Sequence, residues 1–74
     1  MLDEATYQKT ISLVLDSLFL VMELNKMLYH NKSDKVARIT QRAWCRHWRR
    51  VQMANKLGIT ELTIPSGAVD LCNQ

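Results

Sequence analysis

Residues 4–57 contain neither glycine nor proline; both glycines and the one proline of the chain lie between positions 58 and 67. Nothing in that stretch breaks a helix, so its division has to come from caps. Asp3 is placed to cap a first helix, with Glu4 at the positive end of its dipole. The run His30-Asn31-Lys32-Ser33 reads as a short connection, with Ser33 as the next N-cap and Asp34 in the following first turn. Gly58 stands where a helix C-terminal glycine belongs, with Lys56 in the last turn before it. The spacing therefore predicts one helix over about 4–29 and a second over about 34–57, which a connection this short makes antiparallel neighbours.

The first helix is apolar around well over half its circumference. Tyr7, Ile11, Val14, Leu18, Phe19, Val21, Met22, Leu24 and Leu28 are among its apolar residues, and the polar ones are confined to a strip of Ser12, Asp16, Glu23 and Lys26. One partner helix cannot cover such a surface. A chain of 74 residues buries only roughly 60% of its unfolded surface, so a lone hairpin is marginal. The expected architecture is all-α: an antiparallel two-helix hairpin over residues 1–58 and a short irregular tail, 59–74, packing partly on it. Two hairpins then pair into a homodimeric four-helix bundle, with Ile11, Val14, Leu18, Val21 and Leu28 as the dimer core. The apolar run from Ile11 to Leu24 is fourteen residues long and contains Asp16 and Glu23. A span needs about 20 mostly apolar residues, so the pattern argues against a membrane partner. Acidic Asp3 and Glu4 replace the basic segment of a secretory signal, and with only Cys45 and Cys72 there is no disulfide framework. A cytoplasmic setting with two inert thiols is expected.

The second helix sorts its side chains by face. Lys35, Arg38, Arg42, Arg46, Arg49 and Lys56 recur at helical spacing, with Arg50 on the flank; Val36, Ile39, Ala43, His47, Val51, Ala54 and Leu57 form the inward side. The net charge is only +3, but residues 33–58 hold seven bases against Asp34, while 1–32 have four acids against three bases and 59–74 two acids. Surface helices usually mix signs to pair charges, whereas a one-signed stripe rich in arginine suits planar, bidentate contact with phosphate or carboxylate. Trp44 and Trp48, one turn apart beside the stripe, either close the edge of the core or anchor a partner.

Residues 50–64 resemble the centre of a bacterial helix-turn-helix, with Ala54, Gly58, Ile59 and Ile64 at its small, turn and apolar positions. The resemblance implies a DNA-reading second helix after Gly58. The sequence departs from it at Pro65 and Gly67, expected to break that helix, and in offering Thr60, Glu61 and Thr63 to a groove.

Catalysis is not expected. There is no glycine-rich phosphate loop, carboxylate pair or nucleophile elbow, and Cys45, His47, His30 and Cys72 lack zinc spacing. No metal, cofactor or small-molecule substrate is implied. The expected function is a small dimeric regulator whose basic helix binds nucleic-acid backbone. The alternative is an adaptor or inhibitor, of the kind phages and plasmids carry, docking its basic and Trp face on an acidic surface of a larger protein.

Overall fold

The computed structural model describes residues 3–72, apart from the side chain of Leu71. Helix α1 spans Glu4–His30, α2 spans Asp34–Lys56 and α3 spans Ser66–Cys72. The caps lie where the sequence puts them. Asp3 accepts a hydrogen bond from the Thr6 amide at 2.9 Å, and Ser33 accepts from the Lys35 amide at 3.2 Å. Gly58 is left-handed at φ 77°, and the amides of Gly58 and Ile59 donate to the carbonyls of Asn55 (3.0 Å) and Ala54 (2.9 Å). Those two bonds satisfy carbonyls that the helix end would otherwise leave open, and Ile59 drops onto Ala54 in the accompanying apolar contact.

α1 and α2 lie antiparallel along a narrow seam. Val14, Ser17, Val21 and Leu24 of α1 are buried, as are Thr40, Ala43, His47, Val51 and Ala54 of α2. The intervals of three and four residues in both helices keep one face turned to the partner. Val14 meets Val51 and Ala54 at one end, and Val21 and Leu24 meet Ala43 at the other. Small residues let the two backbones approach, and they also keep the seam thin. The radius of gyration is 13.7 Å with extents of 45 × 22 × 15 Å, against about 11 Å for a compact domain of this length.

The tail differs from expectation. It is not irregular throughout: Pro65 precedes α3, and its carbonyl accepts the Ala68 amide at 3.0 Å, so the proline starts a helix. Gly67 lies in the first turn of α3. Before it, the Asn55 side chain clamps the loop. Its Nδ2 donates to the Leu62 carbonyl, and its Oδ1 accepts from the Thr60 hydroxyl and the Leu62 amide. Residues 59–65 are not helical, and the next helix begins at Ser66. Asn73 and Gln74, at the end of the expected tail, lie outside the described residues.

The cysteines also differ. Cys45 and Cys72 are not two free thiols but a disulfide, their Cα atoms 5.3 Å apart. The expectation of inert thiols rested on the lack of a disulfide framework and on a cytoplasmic setting; α3 brings position 72 back to α2, where it meets Cys45. Ile39 and Leu57, expected to face inward, are 42% and 39% exposed, because the seam is narrower than the apolar arc of α2. Among the described residues no helix is long and apolar enough to cross a membrane.

Candidate functional site

The stripe is presented by a helix whose opposite face is fixed in the seam. Lys35, Arg38, Arg42, Arg46, Arg49 and Lys56 are exposed. The ion pair Lys26–Glu23, at 3.6 Å on α1, is the only one among the described residues, so no stripe residue has a carboxylate partner there. Arg38, Arg42, Arg46 and Arg49 line one open groove of about 480 Å³, with Gln41 between them and the Cys45–Cys72 bridge as its wall. The four arginines line one solvent-open space with no carboxylate among the described residues to offset their charge, an arrangement suited to an anion.

Arg50 is placed differently. It is half-buried, and its Nη1 donates to the Leu13 carbonyl of α1 at 2.8 Å. One arm of the flank thus braces the hairpin, which helix periodicity alone could not reveal. Trp44 and Trp48 are also half-buried. They stack at 5.4 Å with their planes 15° apart; Trp48 packs on the Val14 cluster, and Trp44 on the Val21 cluster. Both close the edge of the core. A shallow cleft of about 240 Å³ lies over them beside Ala68 and Cys72.

Of the five residues expected to form a dimer core, Val14 and Val21 are consumed inside the hairpin, where both are buried against α2. Ile11, Leu18 and Leu28 are half-buried. The apolar surface left over on α1 forms two flanks. Leu15, Phe19 and Met22 make one, exposed to 43%, 58% and 48%. Leu13, Leu20 and Met27 make the other, on the arginine side.

The seam has a polar centre. Ser17 Oγ donates to the Val14 carbonyl at 2.8 Å, so it accepts from His47, whose Nδ1 is 2.9 Å away. The imidazole also contacts Trp44 and Trp48, at centroid distances of 6.0 and 5.0 Å. Burial pushes the His47 pKa below its ordinary 6.5; the Val14 carbonyl opposes this and the Arg50 charge adds to it. The unfolded chain therefore binds a proton more readily than the folded one. Stability from this group is complete above about pH 6.5 and is lost as pH falls from there through the folded value. The melting temperature is expected to be lower at pH 5.5 than at 7.5. His47→Gln, less stable in itself, should flatten that dependence; a slope as steep as wild type would assign it to other groups.

What the site can do is hold anions. Among the described residues no three His, Cys, Asp or Glu side chains converge on a metal position. Every described buried side-chain polar atom has a hydrogen-bond partner. Periodicity alone located the stripe; Gln41 and the bridge wall were missed, since both depend on where α3 returns. No protein-family model, curated protein or solved structure matches the chain.

Proposed function

We propose that this chain is a small non-enzymatic regulator that acts as a homodimer and lays the outer face of α2 along a nucleic-acid backbone. The observation that carries the reading is the groove in which Arg38, Arg42, Arg46 and Arg49 converge without a carboxylate among the described residues. Phosphates are spaced repeatedly along a strand, and a rigid helix presents bases at regular intervals, so affinity comes from charge with little choice of sequence. Lys35 and Lys56 extend the contact toward the two ends of α2.

The dimer closes through the flank of Leu15, Phe19 and Met22. Pairing through Leu13, Leu20 and Met27 would set the Arg42 and Arg46 groups of two copies against each other, and like charges brought together there oppose association. Closure on the arginine-free flank leaves both stripes outward. The proposed setting is cytoplasmic, where thiols are reduced by default. There the Cys45–Cys72 bridge is a conditional tie on α3 and not part of the hairpin frame.

The test is binding to duplex DNA, single-stranded DNA and RNA over a salt series. Each of Arg38, Arg42, Arg46 and Arg49 changed to Gln should lower the log–log salt slope by roughly 0.7 to 0.9, nearly independently of base sequence. Absence of binding to all three polymers at about 50 mM salt, where exposed charges are weakly screened, would remove the reading.

A further inference from the structure

A two-helix hairpin has a groove on each side of its seam, and here the two are treated differently. On one side Ile59 and Ile64 come off the Asn55 clamp and pack beside Trp48 on Val14, Val51 and Ala54. On the other side no segment of the described chain covers the groove. A hollow of about 240 Å³ there is lined by Leu20, Leu24, Ile39, Ala43, Arg42 and Arg46. Leu20 and Ile39 stand 44% and 42% exposed on opposite walls. Arg50, bonded to the Leu13 carbonyl, bridges the same two helices further along.

We infer that this open groove docks an amphipathic helix of a partner protein, with apolar anchors lying between α1 and α2 and carboxylates beside them meeting Arg42 and Arg46. The floor is apolar and helical on both sides, which suits a third helix laid along the seam with anchors at i, i+3 or i+4 and i+7. The rim selects the charge of the occupant. Both rim guanidinium groups lack a carboxylate partner among the described residues, so a helix bearing Glu or Asp beside its anchors gains where a basic one loses. A second copy is opposed by the same rim, because its own Arg42 and Arg46 would be the groups presented. The inference goes beyond nucleic-acid binding but shares two residues with it: Arg42 and Arg46 also line the outer groove. Partner helix and nucleic acid therefore compete.

The probe is a fluorescent 18-residue helical peptide with Leu anchors at that spacing and Glu beside them, compared with one in which every Glu is Lys. Anisotropy with the full chain should give micromolar binding of the Glu peptide, and binding at least tenfold weaker for the Lys peptide. Leu20→Ser and Ile39→Ser should each weaken the Glu peptide at least fivefold while circular dichroism stays unchanged, since neither side chain belongs to the buried seam. The same variants should leave nucleic-acid affinity within about twofold, so the two readings fail separately. No Glu-peptide binding at 100 μM, equal binding of both peptides, or indifference to both Ser variants overturns the inference. So does self-association that Leu20→Ser dissolves, which gives the groove to a second copy. Adsorption to phosphatidylserine vesicles lost in Leu20→Ser, without peptide binding, gives it to a membrane surface and overturns it equally.

Discussion

Val21→Lys should abolish the fold, whereas Phe19→Lys, two residues away on the same helix, should abolish only the proposed dimer. Val21 is fully buried against α2, and Phe19 is 58% exposed. Among the described residues the seam buries no carboxylate to pair with a lysine forced into it, and an uncompensated buried charge costs several kcal/mol. Small domains have about 5 kcal/mol to lose, so Val21→Lys should show no cooperative melt and a collapsed helical signal by circular dichroism. Phe19→Lys places its charge in water. Its helical spectrum should persist at low temperature while sedimentation gives a monomer that melts earlier than wild type. A folded Val21→Lys would contradict the seam, and a dimeric Phe19→Lys would move the interface off the Leu15–Met22 flank. A well-folded wild-type monomer at micromolar concentration in light scattering would end the dimer proposal altogether.

The second large effect is expected at the bridge. Cys45 and Cys72 are 27 residues apart in sequence, and cross-linking a loop of that length removes roughly 3.5 kcal/mol of chain entropy from the unfolded state. α3 has seven residues and its principal packing is on α2, and a helix that short does not persist alone. Reduction, or Cys45→Ser, should lower the urea midpoint markedly and erase hydrogen-exchange protection over 66–72. Protection within the Val21–Ala43 end of the hairpin should survive under native conditions. Thiol titration of the native protein checks the premise: two reactive thiols would mean that the pair stands open and α3 is held by packing alone.

These contrasts follow the line between what was legible in the sequence and what was not. Local chemistry marks helix ends, so Asp3, Ser33 and Gly58 fixed α1 and α2 to within a residue. Period marks faces, so Ala43, His47, Val51 and Ala54 of the seam and the outward arginines were readable without coordinates, while Thr40 was missed and Ile39 and Leu57 were set too deep. Tertiary returns leave no local mark. Pro65 signals the end of one helix and the start of another equally well, and only the carbonyl bond to Ala68 decides between them. The bridge needs its two Cα atoms brought close together, 5.3 Å apart here, which depends on that decision. The assignment of Val14 and Val21 to a dimer failed for a related reason. An apolar arc wider than one contact does not say which part of it the intramolecular neighbour takes.

The thinness of the seam has a consequence for the lifetime of the protein. Val21 and Val51 are the largest side chains that the described hairpin buries completely. Whatever settles on the exposed flanks, a second copy or a target, adds its own binding free energy to that of folding, by mass action. Under the proposed assembly, survival against proteolysis should follow the fraction of chains that have found company. The chain expressed alone at low level should then be degraded faster than the chain expressed with a binding partner, and its lifetime would read out stoichiometry.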